Sequence, residues 1–572
     1  MQVDVLFSNA LIADLFRLRL FHGWAAVVDG RFVAVEEGNA PDDWSAREVR
    51  DLKGRVLVPA LVDAHMHIES SLITPRRFAE AVLPFGTGAV LADPHEIANV
   101  AGADGVRWMI AASRGLPLRV YIAIPSCVPA TAPEIEWTAH AFDADAIRAL
   151  FDEPDVIALG EVMDYEGLLG QNDRLPPLVR AAREAGLRLE GHIPTLSGMR
   201  LSRYLAHGIS SDHTLTFPGK IREQISKGVT VMLQAKSVTP ENMAAVAALP
   251  DRSGVLLVTD DIEPTVLRSG HLSRVVTQAI EAGLAPLDAH ASASLRPARY
   301  LNLRDLGAIA PGYRADCMIM DDLAAFPPRE VYIDGQPVAA EGRMITCDWP
   351  ELPPLPSFPP VPGGLRREDF RLASPDSAGD AVLANVVVLD NEHNTLTRLV
   401  QQPVQLRDGY AALVEGDGLN LVAVIARDRS SQAVGLLKHA NLTRGAFATS
   451  LAHDSHNLLV IGREVDSMVT AARAVHEAGG GVAVAQGSEV LARLPLPLFG
   501  LLSDEPAPEV ARALERVEDA MRRLGVTHQR PFLTFSIMAL SVSPYYKFTD
   551  KGIVDTEQRQ LLAPWEALAR HD

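Results

Sequence analysis

The chain has 572 residues and a formal net charge of -19 at pH 7. A single hydrophobic core rarely organises so long a chain, so we expect two or three domains. Phosphate backbones and anionic lipids repel an acidic surface, which argues against a nucleic-acid or membrane partner.

The first residues of the chain differ from a targeting segment. The stretch MQVDVLFSNALIADLF lacks a basic start and places Asp4 and Asp14 where a signal peptide is apolar. Three cysteines, Cys127, Cys317 and Cys347, are too few for a disulfide framework. No uncharged apolar run is long enough to span a membrane. The sequence therefore predicts a cytoplasmic protein.

Residues 1–55 contain short alternating apolar runs, such as WAAVVDGRFVAVEEG, in which a DG pair marks a hairpin turn. A similar pattern, EVYIDGQPVAAEG, returns within residues 305–348. Because these two β-rich pieces bracket a long middle section, we expect them to build one small β-sandwich domain together.

Residues 56–304 alternate apolar strands with helical stretches, the pattern of parallel βα units. Eight such units predict an α/β fold of the (β/α)8 TIM-barrel type. A doubly wound sheet is the competing fold, but no GxGxxG follows the first strand and polar residues end nearly every strand. The predicted strands are Val56–His65, Thr87–Asp93, Arg119–Pro125, Val156–Glu161, Gly186–His192, Gly208–His213, Val229–Gln234 and Val255–Asp260.

Two further segments follow this barrel. Residues 349–364, WPELPPLPSFPPVPGG, are too rich in proline for a helix or a central strand and predict an extended linker. Residues 365–572 mix strand and helix patterns, which predicts a mixed α+β C-terminal domain. Its helix MVTAARAVHEAGGG ends on glycines 479–481, which is typical of a C-cap.

The strongest local motif is VDAHMHIES, in which His65 and His67 stand two residues apart at the end of an apolar strand. Both side chains therefore point to the same face. In a barrel that face is the interior, and active sites form at the carboxyl ends of the strands. Two adjacent imidazoles there can bind a divalent metal ion.

Metal-competent side chains end several other predicted strands. A single buried histidine or glutamate is more often a structural residue, but strand ends that repeatedly carry such groups favour a site for one or two divalent metal ions. Histidine and carboxylate ligands suit zinc, iron and manganese alike. The added candidates are Glu161, His192, His213 and Asp260.

Two of the carboxylates are candidates for a catalytic role. Glu161 can bridge two metal ions through its two oxygens, and a metal-activated hydroxide can then act as the nucleophile. Asp260 can accept a proton from that water and pass it to the leaving group. Asp261 is the alternative carrier, but neighbours in a strand point to opposite sides, so only one of the two faces the metal.

Further candidates lie outside these strand ends. Asp93 and His95, in ADPHE, are additional metal or substrate contacts, or else Asp93 caps the following helix. His453, Asp454 and His456 form the dense polar motif AHDSHN. This motif either closes the barrel site or forms a buried hydrogen-bonded network within its own domain.

Taken together, these motifs resemble the adenine deaminase family of the amidohydrolase superfamily. VLVPALVDAHMHIESS is similar to the opening motif of the superfamily. ADPHEIANVAG, LGEVMDY, GHIPTLSG, SSDHT, VTDD and LGAIAPGYRADC resemble successive blocks of the adenine deaminases. LAHDSHNLLVIG, LPLPLFGLLSDEP and TDKGIVD resemble their C-terminal domain, so the resemblance covers essentially the whole chain.

The resemblance implies that the chain converts adenine and water to hypoxanthine and ammonia. It also implies iron or manganese as the metal. The ligand types leave zinc as the alternative. In this family Glu161 replaces the carbamylated lysine that bridges the metals in many other amidohydrolases. We further expect a small heterocyclic substrate and a homodimer.

The chain departs from the family pattern near the pocket. Thr214 stands where a glutamate usually follows the sixth-strand histidine, and Gln234, Ala235, Lys236 and Ser237 replace an R-E-G-S stretch. Pocket contacts decide which substrate is stabilised, so a different purine, a cyclic amide or another heterocycle is the alternative substrate. Lys236 is then a possible substrate contact. A catalytically silent relative would have lost its ligands, and all six are present.

Overall fold

The computed structural model describes residues 1–170, 173–345, 348–375, 380–390 and 396–566. They form two compact units. The first unit comprises Met1–Pro94, Arg107–Pro125 and Ala144–Pro353. The second comprises His95–Val106, Ser126–Asp143 and the described part of Pro354–Asp572. The predicted four-part division of the chain stays a prediction.

The N-terminal strands of the first unit lie in a sheet beside the barrel. The longest, β1, pairs with β2 on one side and with β4 and β5 on the other. Their apolar residues pack around Phe7 and Phe32, which are fully buried. These strands are β1 (Gln2–Asp14), β2 (Arg19–Val28), β3 (Arg31–Glu37), β4 (Ser45–Asp51) and β5 (Val56–Pro59).

Eight parallel strands follow and form the barrel, so the predicted α/β barrel fold is confirmed. Five pair in sequence order, and the last three pair in the same way. Ser210 N donates to Leu189 O across the gap between these sheets, and Met66 bridges Asp260 in parallel to close the ring. The barrel strands are β6 (Leu61–Met66), β7 (Thr87–Ala92), β8 (Arg119–Ile124), β9 (Val156–Val162), β10 (Arg188–Gly191), β11 (Ser211–Asp212), β12 (Thr230–Leu233) and β13 (Val255–Leu257).

The predicted first strand, 56–65, is divided between two sheets. Its first part is β5, which belongs to the flanking sheet, and its second part is β6, which begins the barrel. The backbone N–H of Ala60 donates to Asp316 O at this junction. A continuous apolar run does not reveal such a change of partner, because both parts are buried.

Helices connect the barrel strands. Several begin with a proline, such as Pro75, Pro218 and Pro240, whose missing N–H costs nothing in the first turn. The helices are α1 (Pro75–Val82), α2 (His95–Ser113, interrupted at Gly102), α3 (Ala144–Arg148), α4 (Tyr165–Leu169), α5 (Leu175–Glu184), α6 (Gly198–Leu205), α7 (Pro218–Ser226), α8 (Pro240–Ala247), α9 (Pro264–Leu267), α10 (Leu272–Glu281), α11 (Pro286–Ser292) and α12 (Leu295–Tyr300). Short 3-10 helices span Glu69–Ser71, Leu83–Phe85 and Ala235–Ser237.

After the barrel the chain returns to the flanking sheet. The strand β14 (Cys317–Met320) pairs antiparallel with β5, and β15 (Glu330–Ile333), β16 (Gln336–Ala340) and β17 (Arg343–Met344) extend the sheet outward. Both flanks therefore contribute to one nine-stranded sheet. Residues 349–364, all of them described, contain neither helix nor strand.

The second unit has a nine-stranded mixed sheet and a three-stranded antiparallel sheet, which confirms a mixed α+β fold. Gly479 follows the helix Val465–Glu477 with a positive φ of 74°, as the predicted C-cap requires. The strands are β18 (Ala381–Leu389), β19 (Thr397–Arg407), β20 (Tyr410–Ala412), β21 (Leu419–Ile425), β22 (Gln432–Lys438), β23 (Ala446–Thr449), β24 (Leu458–Gly462), β25 (Gly481–Gln486), β26 (Glu489–Pro495), β27 (Tyr546–Thr549), β28 (Gly552–Asp555) and β29 (Gln560–Leu562). The helices are α13 (Val465–Glu477), α14 (Ala507–Arg523) and α15 (Pro531–Ser536), with 3-10 helices at Arg367–Phe370 and Ile537–Ala539.

Two remaining predictions concern cysteines and membranes. Cys127 and Cys317 are buried free thiols, whereas Cys347 lies outside the described residues. Of the helices in the described ranges, none is long and apolar enough to cross a membrane. The cytoplasmic location stays a prediction.

Candidate metal centre

Two histidines lie together at the carboxyl end of β6. The side chains of His65 and His67 are 1% and 2% exposed, and their ring centroids are 5.0 Å apart. Nδ1 of His67 donates a 2.9 Å hydrogen bond to Asp93 O, which turns Nε2 toward the barrel axis. Backbone carbonyls commonly orient metal-binding histidines in this way.

Glu161, at the end of β9, stands between the other predicted ligands. Its Oε2 lies 2.6 Å from Nδ1 of His192 and 3.2 Å from Nε2 of His213. Its Oε1 lies 3.4 Å from Nε2 of His67. The two carboxylate oxygens thus face different histidines, an arrangement that suits a bridging ligand.

Asp260 completes the centre from the loop that follows β13. Its Oδ1 lies 3.7 Å from Nε2 of His65 and 3.4 Å from Nε2 of His67. The backbone of Asp260 is left-handed, with φ 59°, a conformation that aspartate adopts more readily than most residues. The neighbouring Asp261 turns away, and its carboxylate accepts a hydrogen bond from Ser70.

The donor atoms of these residues are close enough to share metal ions. One group comprises His65, Glu161 and His213, and another comprises His65, His67 and Asp260; within each group all donor atoms lie within 4.8 Å of one another. Nε2 of His65 is buried and has no hydrogen-bond partner among the described residues. The donor set therefore fits one or two divalent ions.

Both carboxyl groups of the centre are ionised. Burial alone would raise the pKa of Glu161, but His213 and His192 outweigh burial and hold that pKa well below its usual value. Burial also opposes ionisation of Asp260, whose pKa is nevertheless held low by His213 and His65. Both groups are therefore carboxylates at neutral pH, as metal ligands must be.

The histidines of the centre differ in basicity. Burial and the neighbouring His213 lower the pKa of His65 to about 4. Burial also opposes protonation of His213, but Glu161 and Asp260 prevail and raise its pKa to about 9. His65 is thus a neutral imidazole at neutral pH, whereas His213 carries a proton that a bound metal ion would displace.

Asp212, which no sequence motif indicated, holds the two loops that carry His192 and His213. Its Oδ1 accepts hydrogen bonds of 3.0 Å from the backbone N–H of Ile193 and of Thr214, the residues that directly follow these two histidines. The carboxylate is 1% exposed. The only signal in the sequence was its position beside His213 in SSDHT.

Thr214, one of the departures from the family pattern, belongs to the same network. Its hydroxyl donates to Oδ1 of Asp212 at 2.8 Å and accepts from Nζ of Lys220 at 2.7 Å. Lys220 and Gln224, both on α7, bind Oδ2 of Asp212 at 2.8 and 2.7 Å. Thr214 therefore helps Asp212 to hold the loops that carry His192 and His213.

At the second departure from the family pattern, the side-chain amide of Gln234 contacts Asp260, the candidate proton carrier. Nε2 of Gln234 donates to Oδ2 of Asp260 at 2.7 Å and to His213 O at 2.8 Å. Gln234 is buried, whereas Lys236 is exposed on the following 3-10 helix. Gln234 thus fixes the orientation of the Asp260 carboxylate.

Asp93 fixes the backbone of Glu161, one of the residues of the candidate centre. Its Oδ2 accepts a 2.9 Å hydrogen bond from the backbone N–H of Glu161. A Cβ on Gly160 would lie 2.1 Å from this oxygen, so the glycine is needed for the close approach. The cap position of α2 is occupied by Pro94, so the alternative interpretation of Asp93 as a helix cap is wrong.

The remaining candidates belong to the second unit. His95 begins α2 and lies there together with His453, Asp454 and His456. Nε2 of His95 is 3.9 Å from Oδ1 of Asp454. The AHDSHN motif therefore takes part in a buried cluster of its own unit.

Comparisons with known proteins agree over nearly the full length. The adenine deaminase C-terminal domain matches residues 394–560, and the amidohydrolase family matches residues 56–338. An adenine deaminase of Desulfatibacillum aliphaticivorans is 35% identical, over 96% of this chain and 95% of that protein. One from Nitratidesulfovibrio vulgaris strain Hildenborough is 38% identical, over 97% of this chain and 95% of that protein.

The crystal structure of an adenosine deaminase from Xanthomonas campestris with bound zinc aligns with 61% of this chain and 95% of its own, at 17% identity and a TM-score of 0.44.

Proposed function

Because the chain belongs to the adenine deaminase family of the amidohydrolase superfamily, we propose that it hydrolyses adenine to hypoxanthine and ammonia. The observation that carries this proposal is the position of Glu161 between His67 on one side and His192 and His213 on the other. A different heterocycle is not favoured, because relatives named adenine deaminases match nearly the whole chain.

The proposed ligands are the six residues at the strand ends. Donor atoms of His65, His67 and Asp260 lie within 4.8 Å of one another, as do those of His65, Glu161 and His213, and these residues would hold the metal. Nδ1 of His192 lies 2.6 Å from Oε2 of Glu161, so His192 would join them. When bound, the metal supplies a Lewis acid that lowers the pKa of water toward neutrality. We propose manganese or iron, with zinc as the alternative, since the donor set accepts all three.

Asp260 is the proposed proton carrier. Water adds to C6 of adenine, the bond between C6 and N6 breaks, and ammonia leaves. The Asp260 carboxylate accepts a proton from the water and returns it to N6 as the amine departs. The hydrogen bond from Gln234 and the contacts with His65 and His67 hold this carboxylate in one orientation. Because its pKa is held low, Asp260 is an ionised carboxylate at neutral pH, which is the form that can accept a proton.

The decisive experiment follows ammonia release from adenine. Protein reconstituted anaerobically with Mn(II) or Fe(II) should release ammonia in step with the loss of adenine absorbance. The same protein treated with a chelator is the matched control and should show no turnover. If folded, fully metallated protein releases no ammonia from adenine, the proposal is wrong, and a panel of other purines and cyclic amides is the next step.

We also propose a homodimer. Leu215 and Phe217, in the loop after β11, are 58% and 60% exposed, which leaves apolar surface that a second copy can cover. Light scattering during size-exclusion chromatography should give twice the 61.7 kDa chain mass. A monomer at micromolar concentration would contradict this part of the proposal.

A further inference from the structure

A cavity in the first unit lies at the end of the barrel opposite the candidate metal centre. Its volume is about 570 Å³, and its walls come from the starts of β9 and β10, from residues 208 and 210 before β11, and from the segment 299–303. In a parallel barrel the amino ends of the strands face away from the carboxyl ends, where active sites form. Pockets of roughly 300 to 1,000 Å³ accommodate small organic ligands. This base cavity is therefore large enough for such a ligand.

Two arginines line the base cavity without a counter-ion. Arg188 begins β10, and Arg299 lies in α12. Across the described ranges of the chain, neither guanidinium group forms an ion pair or donates a hydrogen bond to a protein atom. The chain nevertheless has 72 acidic and only 53 basic residues. Since guanidinium groups bind carboxylates and phosphates strongly, two free ones at the same cavity favour a site for an external anion.

Aromatic rings hold both guanidinium groups in place. The guanidinium carbon of Arg188 lies 4.6 Å from the ring centroid of Tyr300, and that of Arg299 lies 5.3 Å from the ring centroid of Phe16. A guanidinium group over an aromatic face can still donate the N–H groups at its edge to a phosphate. Because both side chains are already held, less conformational entropy is lost when an anion binds.

Tyr300 is fixed in turn by a buried carboxyl group. Its hydroxyl donates a 2.7 Å hydrogen bond to Oε1 of Glu190, which is fully buried. The other oxygen of Glu190, Oε2, accepts a 2.8 Å hydrogen bond from the hydroxyl of Ser211. The hydrogen bonds of Glu190 thus come from Tyr300 and Ser211, and the N–H groups of Arg188 stay available to a ligand.

Further arginines add positive charge around the base cavity. Gly208 belongs to its wall and adjoins Arg183, since a Cβ on the glycine would lie 3.2 Å from Cδ of that arginine. Burial first, and the charge of Arg183 second, lower the pKa of the neighbouring His207. Nε of Arg304 donates a 3.1 Å hydrogen bond to Oδ1 of Asn302, another residue of the wall. The cavity therefore lies in a positive local field, although the whole chain is acidic.

The rest of the wall is apolar and includes Ile157, Leu187, Leu301 and Leu303. An inorganic anion would leave this part of the wall in contact with water, whereas a ring system would cover it. A phosphate monoester carries a charge of roughly −1.5 to −2 at pH 7, which two arginines balance. Charge and apolar wall together fit a ligand that has both a phosphate group and a flat ring.

We propose that the base cavity binds a small organic phosphate of mononucleotide size. The phosphate binds Arg188 and Arg299, and the ring packs against the leucines of the wall. The six candidate metal ligands, all of them described, lie outside the walls of this cavity, so the ligand does not compete with adenine for the metal. The proposal does not depend on the adenine deaminase activity.

Isothermal titration calorimetry of the full-length, Mn(II)-loaded protein with adenosine 5′-monophosphate tests this proposal. Arg188→Met and Arg299→Met should each raise the Kd by about 10- to 100-fold, because each loses hydrogen bonds to a charged group. Arg299 is exposed, so its replacement should leave the fold intact. Arg222→Met is the matched control, because Arg222 is exposed on α7 and lies outside the walls of the cavity. Its Kd should equal that of the wild type.

Three further titrations identify what the cavity recognises. Adenosine, which lacks the phosphate, and inorganic phosphate, which lacks the ring, should each bind at least about 10-fold more weakly than the nucleotide. His67→Asn changes the metal centre and should bind the nucleotide with the wild-type Kd.

The proposal is overturned if the wild-type protein does not bind the nucleotide at millimolar concentration, or if both arginine variants keep the wild-type Kd. It is also overturned if His67→Asn alone loses binding, since the nucleotide would then bind at the metal centre. A Kd for adenosine or for inorganic phosphate equal to that of the nucleotide would overturn it as well, because one half of the ligand would then contribute nothing. None of these readouts depends on adenine turnover.

Discussion

Nζ of Lys220 lies 2.8 Å from Oδ2 of Asp212, and both side chains are buried, at 7% and 1% exposure. This ion pair lies behind the loops that carry His192 and His213. Removal of one partner leaves the other charge buried and unpaired, which costs more than the loss of an exposed pair.

Lys220→Met should therefore lower the free energy of unfolding by about 3 to 5 kcal/mol. Lys227→Met is the matched control, because Lys227 pairs with Glu223 at 3.0 Å on a partly exposed surface and should cost at most about 1 kcal/mol. Urea unfolding of both variants provides the comparison. An equal loss of unfolding free energy in the two variants would show that the buried ion pair contributes no more to stability than the exposed one.

Asp260→Asn should reduce kcat for adenine by about 100- to 10,000-fold, because the amide cannot accept the proton. Asparagine tolerates the left-handed backbone of this position, so the fold should be retained. Asp261→Asn changes the neighbouring carboxylate, which binds Ser70, and should keep most of the activity. Steady-state measurements of kcat compare the two variants. A larger loss of kcat in Asp261→Asn than in Asp260→Asn would assign the proton transfer to Asp261.

Gln234→Leu should lower kcat by about 10- to 100-fold, because a hydrogen bond to a charged group contributes about 1.5 to 3 kcal/mol. Its effect on KM should be small, since Gln234 contacts the Asp260 carboxylate. Gln278→Leu removes a glutamine that binds only the backbone oxygens of Ala235 and Val238 in the described structure, and its kcat should stay near the wild-type value. A change confined to KM in Gln234→Leu would contradict the assigned role.

The metal-free protein should lose stability between pH 6.5 and about 9. Burial alone would lower the pKa of His213, but Glu161 and Asp260 raise it to about 9, above the ordinary value near 6.5 in the unfolded chain. Protonated His213 therefore stabilises the fold fully below pH 6.5, and this contribution disappears as the pH rises through 9.

Thermal melts of chelated protein across this pH range should show the decline, and metal-loaded protein should lack it because the metal replaces the proton. The affinity for Mn(II) should rise over the same range. His213→Gln is the control that should reduce the decline of the metal-free protein; burial opposes protonation of His67, but Asp260 and Glu161 raise its pKa too, so His67 accounts for the remainder. A decline of equal size in that variant would mean that another group titrates.

Single strand ends predicted which residues would lie together in the candidate metal centre. Polar residues after apolar runs indicated Glu161, His192 and His213, because parallel strands bring their carboxyl ends to one side of a barrel, and the structure places these three side chains side by side. The sequence did not reveal the role of Asp212, since its partners Lys220 and Gln224 lie on a later helix whose contacts no local pattern specifies. Likewise, nothing in the run 56–65 indicates that its two parts join different sheets.

The separation of neighbouring residues between units is equally invisible in the sequence. Asp93 supports Glu161 in the first unit, while His95 belongs to the second. A local motif identifies residues whose side chains can bind a ligand or take part in catalysis, but tertiary contacts decide which of them come together.

The flanking sheet has a consequence for synthesis of the chain. Its strand β14 pairs with β5, and all eight barrel strands lie between them in the sequence. During translation β5 leaves the ribosome early, but its partner emerges only after the barrel has been made. Until then the edge of β5 can pair with a strand of another nascent chain. Protein truncated just before β14 should therefore aggregate, although its barrel strands are complete.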